Sequence, residues 1–439
     1  MKASCVCAFA LLLAGLGASS AAAVTVPPAA TPHQSQPQGK AGKASATHHA
    51  GAHHAAARRA SVHRAAHAVA HPATRAAATR QTAGHSSVAH HAGTRTAAVH
   101  HGTRSAHLRR AVLVRRRHRY YERFTASSFV TSPVTTGDII AGEDPVVRQA
   151  AIDALGDMNG TAVVIDPSSG RILAMVNQKL ALSPGAEPCS TIKLSVALAA
   201  LSEGIVTRDT MVQLPGFRMN MTQALAHSNN LYFEELGREL GFERVHHYAT
   251  QFGLGELAGY HIEGEQLGTY PDHAIPQSQG GVGRMCSFGQ GVSMTPLQLG
   301  ALVTAIANGG TLYYLQHPST PEEAANFKPR VKRLLNIAKY VPEIEDGMAG
   351  AVEYGTARRL RINFHELPVF GKTGTCSNDG TRFGWFASFS DSPEGSLVTV
   401  FFLEGGRPTF GPRAAELTGE FYKNLWDRDY FEAKAQQAH

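Results

Sequence analysis

Beyond the first 23 residues, apolar residues gather into regular runs only in the C-terminal two thirds of this 439-residue chain. "TAVVIDPSSGRILAMVN" (161–177) holds two β-rich runs around Asp166-Pro167-Ser168-Ser169-Gly170, a turn signal, and predicts a hairpin. "STIKLSVALAALSEG" (190–204) predicts a helix rich in Ala and Leu that closes near Gly204. "NNLYFEELGRELG" (229–241) predicts another, with Phe233, Leu236 and Leu240 on one face. "TPLQLGALVTAIANGG" (295–310) predicts a third. There Thr295 and Gln298 fit a capping box around Pro296, and Asn308-Gly309 ends the apolar stripe Leu299, Leu302, Val303 and Ile306.

Toward the C-terminus the period changes. "PVFGKTGTC" (368–376), "RFGWFASFS" (382–390) and "SLVTVFFLE" (396–404) read as a three-stranded antiparallel meander, followed by a closing helix over about 412–436. The Pro and charge clusters of 316–345 read as an insertion. Two early strands, central helices, three late strands and a helix predict an α/β fold. Its antiparallel sheet is built from N- and C-terminal strands, flanked by helices, with a helical subdomain in the middle. The expected folded domain is 126–439, a length that suits one large unit.

Composition separates the remainder from this domain. In residues 1–23 Lys2 is the sole charge, an apolar core runs from Cys5 to Ala18, and "SSAAA" offers a cleavage site, so this stretch reads as an export signal. An uncleaved anchor is the alternative if the span continues to Val26. No cysteine follows the apolar core to carry a lipid, and no later stretch is long and apolar enough to span a membrane. Residues 24–125 are Ala, His, Arg, Thr, Ser and Gly, and predict a disordered basic stem. From Val26 to Tyr120 there are 15 Lys+Arg and no acidic residue, while 121–439 carries 25 basic residues against all 34 acidic ones. The stem also holds 15 of the 23 histidines. It reads as a solvated tether, or as an adhesive for anionic cell-wall polymers or a membrane surface that strengthens as histidines protonate below about pH 6.5. The export signal removes nucleic acid as a partner, and the irregular histidine spacing argues against a metal site. After signal removal Cys189, Cys286 and Cys376 remain, an odd number that leaves at least one unpaired or intermolecular thiol.

The chemistry lies in three short stretches. "PCSTIKL" (188–194) puts Ser190 and Lys193 three residues apart, on one face if helical. A serine hydroxyl is a poor nucleophile until a base takes its proton, and a lysine becomes that base near neutrality when burial depresses its pKa. "HSNN" (227–230) supplies Ser228 and Asn230 immediately before a helix, where capping is the competing role. "GKTGT" (371–375) sets Lys372 between glycines in a strand, where a ligand can approach the backbone closely. S-x-x-K, S-x-N and K-T-G in this order form the set of the penicillin-interacting serine enzymes.

With these motifs in place, residues 150–430 resemble the transpeptidase domain of the penicillin-binding proteins, most like class B. "SNNLYFEELGRELGFERVHHYATQFGLG", "FGQGVSMTPLQLGALVTAIANGG" and "GWFASFS" share that likeness. The resemblance implies a peptidoglycan stem peptide ending in D-Ala-D-Ala as substrate, β-lactams as its mimics, and no metal or organic cofactor. It implies Ser190 as nucleophile, Lys193 as base, Ser228 as proton relay helped by Lys193 and Lys372, and Asn230 on the donor amide. Thr373 and Thr375, flanking Gly374, would hold the terminal carboxylate, and the N–H groups of Ser190 and Thr375 the oxyanion. Related outcomes are a D,D-carboxypeptidase or a serine β-lactamase; the E-x-x-L-N-like stretch of class A β-lactamases is absent between Asn230 and Lys372. An outcome of another class is a non-catalytic β-lactam sensor or wall-binding scaffold. The chain departs from the family's usual Pro-Gly-Ser-Thr-Phe-Lys-Pro at Cys189 and Leu194, and the 38-residue interval from Ser190 to Ser228 is short. The stem stands where class B members carry a large non-catalytic domain, which suits an accessory enzyme or one with weakened activity. Each late cysteine flanks a motif, either as a small buried residue or as part of a redox-sensitive pair beside the site.

Overall fold

The computed structural model describes residues 124–392 and 395–437. The expected signal and all but the last two residues of the expected stem lie outside them. The elements, in chain order, begin with α1 (Pro145–Leu155), β1 (Gly160–Asp166), β2 (Arg171–Val176), α2 (Gln178–Ala181) and α3 (Lys193–Ser202). They continue through β3 (Val212–Leu214), β4 (Phe217–Met219), α4 (Met221–Ala226), α5 (Asn230–Gln251), α6 (Gly281–Phe288) and α7 (Pro296–Ala307). Next come β5 (Thr311–Tyr314), α8 (Pro321–Ala325), β6 (Arg330–Leu334) and α9 (Val341–Glu353). The chain closes with β7 (Val369–Asn378), β8 (Thr381–Ser390), β9 (Val398–Gly405), α10 (Gly411–Trp426) and α11 (Tyr430–Gln437).

The main sheet has five antiparallel strands in the order β2-β1-β9-β8-β7. The chain's early hairpin and late meander therefore meet at the β1–β9 pair, as the α/β reading requires. The hairpin turn is held by the Asp166 carboxylate, which accepts from the Ser168 N–H at 2.9 Å and the Ser169 hydroxyl at 2.7 Å. Gly170 completes it with φ +73°, a conformation costly for residues with a Cβ.

Successive strand residues point to opposite faces, and both faces are covered. Val163, Ile165, Val400, Phe402 and Trp385 pack with α3 and α7. Ala162, Val164, Phe401, Leu403 and Phe386 pack with α1 and α10. This explains the nearly continuous apolar runs, since each Val, Ile, Leu or Phe side chain gains roughly 1.5–3 kcal/mol on full burial. Helix α7 starts with the expected capping box: Gln298 N–H donates to Thr295 Oγ1 at 3.1 Å, and Thr295 N–H to Gln298 Oε1 at 3.0 Å.

Four expectations are corrected in detail. The helix read from Ser190 begins as a 3-10 turn, Cys189–Ile192, and becomes α-helical only at Lys193. The helix read to Gly241 continues to Gln251 through a kink at that glycine (φ 73°, ψ 162°). The closing helix is two, divided at Asp429 with φ +55°. Residues 316–345 are not a plain insertion: β6 pairs with β5, and Ile337, Val341 and Ile344 join the core beside α3 and α4. No helix among the described residues is long and apolar enough to cross a membrane.

Candidate active site

Three structural corners meet around one hydroxyl. The first is the 3-10 turn that carries Ser190, fixed by Pro188, whose carbonyl accepts from the Thr191 N–H at 3.1 Å and the Thr191 hydroxyl at 2.7 Å. The second is the α4–α5 corner. Ser228 sits there at φ +54°, and the helix cap falls to Asn229, whose side chain accepts from Tyr232 N–H at 3.0 Å. Capping thus leaves Ser228 and Asn230 free to face inward. The third is β7, the edge strand, whose Lys372 side chain turns toward the corner.

Lys193 is completely buried, and four oxygens surround its amine. Ser190 Oγ lies at 3.0 Å, Ser228 Oγ at 3.1 Å, the Ser228 carbonyl at 2.9 Å and Asn230 Oδ1 at 2.6 Å. The last two can only accept, so they take two N–H groups. In a neutral amine that uses both N–H groups and leaves the lone pair for the two hydroxyls. Burial holds the Lys193 amine well below the ordinary lysine range; the nearby Lys372 pushes the same way, and Glu234 opposes. The Lys372 amine, also fully buried, donates to Ser228 Oγ at 2.9 Å and to the Thr373 carbonyl at 3.0 Å. Burial lowers it to about 7. Ser228 Oγ therefore bridges two amines, and burial disfavours the charged form of each.

Family membership rests on a match that spans all three corners: the family model of the penicillin binding protein transpeptidase domain covers residues 160–423. The chain belongs to this family. Stage V sporulation protein D of Bacillus subtilis is 27% identical over 317 residues, covering 60% of this chain and 48% of that protein. The peptidoglycan D,D-transpeptidase MrdA of Acinetobacter baumannii is 25% identical over 362 residues, covering 65% of this chain and 53% of that protein. The chain spans about half the length of the curated relatives it matches. The crystal structure of Pseudomonas aeruginosa PBP2 in complex with WCK 5153 shares the fold, with a TM-score of 0.54, 23% identity, and coverage of 66% of this chain and 75% of that one.

The rest of the candidate site follows β7. Thr373 and Thr375 point to the face opposite Lys372. Thr373 Oγ1 lies 2.6 Å from Thr356 Oγ1, and Thr375 Oγ1 accepts from the Gly411 N–H at the start of α10 at 2.8 Å. Gly374 must be a glycine, because a Cβ there would sit 2.9 Å from the Pro188 carbonyl oxygen. Thr356 was not legible in sequence, since it belongs to no motif and reaches Thr373 only through the fold. Cavities of 490 Å³ beside Tyr260 and His317 and of 480 Å³ beside Thr269 and Glu404 contain none of the motif residues, so polar convergence rather than volume marks the site.

Two of the three late cysteines are not simply small buried residues. Cys189 and Cys376 form a disulfide, with Cα atoms 5.5 Å apart and a sequence separation of 187. Cys286 remains a free, buried thiol that burial pushes up to about 12, which leaves it unreactive at neutral pH.

Proposed function

We propose that this protein is a serine D,D-transpeptidase that crosslinks peptidoglycan stem peptides ending in D-Ala-D-Ala, working on the outer side of the cytoplasmic membrane. Ser190 Oγ gives its proton to the Lys193 amine and bonds to the penultimate D-Ala carbonyl carbon. The N–H groups of Ser190 and Thr375 hold the oxyanion. Collapse breaks the peptide bond. The leaving D-Ala amine takes a proton relayed by Ser228 from the lysine pair, and a second amine then accepts the acyl group. Asn230 holds the donor amide, and Thr373 and Thr375 the terminal carboxylate. β-Lactams acylate the same serine. The folded domain is the catalytic unit, and the basic stem adheres to anionic wall polymers.

One observation carries this reading: a fully buried lysine whose two N–H groups are spent on carbonyl oxygens sits 3.0 Å from Ser190 Oγ. The family match and the D,D-transpeptidase relative support it. The test is labelling with a fluorescent penicillin. The wild-type chain is expected to label at Ser190 and to hold the adduct for minutes or longer, while Ser190→Ala labels at background. No wild-type labelling identifies a scaffold, and release within seconds a β-lactamase. With a stem pentapeptide and an acceptor amine, crosslinked product masses mark the transpeptidase, and loss of D-Ala to water alone a carboxypeptidase.

A further inference from the structure

The residue before the proposed nucleophile is covalently tied to the residue after the proposed carboxylate-binding threonine. Cys189 precedes Ser190, Cys376 follows Thr375, and the two are bonded. Around this bond the two halves of the site touch with little slack. A Cβ on Gly374 would lie 2.9 Å from Pro188 O and 3.1 Å from Thr191 Cγ2. The Trp385 indole N–H donates to the Glu187 carbonyl at 3.0 Å, from the strand next to β7.

Two features make the bond more than packing. First, β7 is the sheet's edge, hydrogen-bonded to β8 on one side only. On its open side, where substrate would lie, the sheet supplies no neighbouring strand to fix its position. Second, Cys189 stands at φ +53°, a backbone conformation that residues with a Cβ rarely adopt. A cysteine there works against the local backbone preference, and the bond to Cys376 holds it in place.

We propose that the Cys189–Cys376 disulfide is a positioning cross-link of the reaction centre. It fixes the Ser190 turn against the 372–375 edge, and with it the spacing between nucleophile, oxyanion donors and carboxylate anchor. This rests on the acyl-enzyme function proposed above and adds a redox dependence to it. Cys189 is fully buried and Cys376 partly exposed, so a dithiol reductant enters at the Cys376 sulfur. Its thiolate bonds to that sulfur as the protein S–S bond breaks, and the Cys189 sulfur leaves as thiolate and takes a proton. The second thiol then displaces Cys376, so the reductant becomes a disulfide and the protein holds two thiols.

The test uses the full-length protein with a fluorescent penicillin, following rate constant and final amplitude separately, before and after dithiothreitol, after reoxidation, and in Cys376→Ser. Peptide masses after alkylation verify which cysteines are bonded. Opening the bond is expected to slow the acylation step on the order of 10- to 100-fold, the scale of an ångström-level misplacement, with full final labelling and recovery on reoxidation. A bond that only stabilises the fold would instead lower the amplitude at an unchanged rate, which overturns the proposal. Equal rates in both states, faster labelling when reduced, or no Cys189–Cys376 bond in the isolated protein also overturn it, and each leaves the acyl-enzyme reading standing. A protein that labels in neither state removes that reading and this inference together.

Discussion

Two lysine amines share the Ser228 hydroxyl inside the protein, and burial works against the charge of each. In the proposed reaction the base that accepts the Ser190 proton has to be neutral beforehand, so the burial that costs stability would also prepare the chemistry. Acylation is therefore expected to fade on acidification as the lysine pair protonates. The same shift has a stability consequence with a definite sign. Lys372 titrates at about 7 in the folded protein but near 10.4, roughly, in an unfolded chain. Between those values the unfolded chain binds more protons. The group's contribution is thus fully present above the unfolded value, is lost as pH falls toward 7, and stays at its low level below that. Lys372→Met removes the effect. Urea midpoints should show the wild type gaining roughly 2 kcal/mol on Lys372→Met between pH 7 and pH 9. A difference independent of pH would contradict the buried, neutral amine.

In the proposed reaction the α4–α5 corner is an element boundary that carries function against its own stability. Ser228 holds a left-handed conformation that costs a side-chain-bearing residue about 1 kcal/mol, while its Oγ contacts both amines. Ser228→Gly relaxes the backbone and deletes the hydroxyl together. Thermal melting should shift by no more than a few degrees, because the relieved backbone is offset by the partner lost to two buried amines, while acylation should fall on the order of 100-fold, the scale of one proton-transfer group. A variant that labels as fast as wild type would separate the corner from the chemistry. The same boundaries mark what the sequence disclosed. The 161–177 hairpin, the Thr295 capping box and the final meander were legible because turn residues and apolar period agree there. β6 was not, because "RVKRL" is mostly basic and its pairing with β5 is tertiary. The kink at Gly241 and the 3-10 start at Cys189 are local backbone choices that periodicity does not record. The motif order named Ser190, Lys193, Ser228 and Lys372, which the fold brings into one hydrogen-bonded cluster. Thr356 and the Cys189–Cys376 bond each depend on a partner distant in sequence, and only the cysteines' adjacency to motifs hinted at one.

At the scale of the whole molecule, charge divides where composition does. Residues 26–120 carry 15 Lys+Arg, no acidic side chain and most of the histidines, while 121–439 has nine more acidic than basic residues. The acidic portion should be repelled by an anionic wall polymer, so attraction has to come from the stem. Histidine protonation below about pH 6.5 can roughly double the stem's charge. Added salt weakens the attraction, because the screening length is about 10 Å at 0.1 M ionic strength. Full-length protein should therefore sediment with isolated cell walls at low salt, more at pH 5.5 than at pH 7.5, and be released by salt. A chain lacking 24–120 should stay in the supernatant throughout, yet label with fluorescent penicillin at the full-length rate, since a small soluble probe needs no wall attachment. Equal sedimentation of the two chains would remove the stem from wall binding. A slower labelling rate in the shortened chain would instead assign the stem a part in the reaction centre itself.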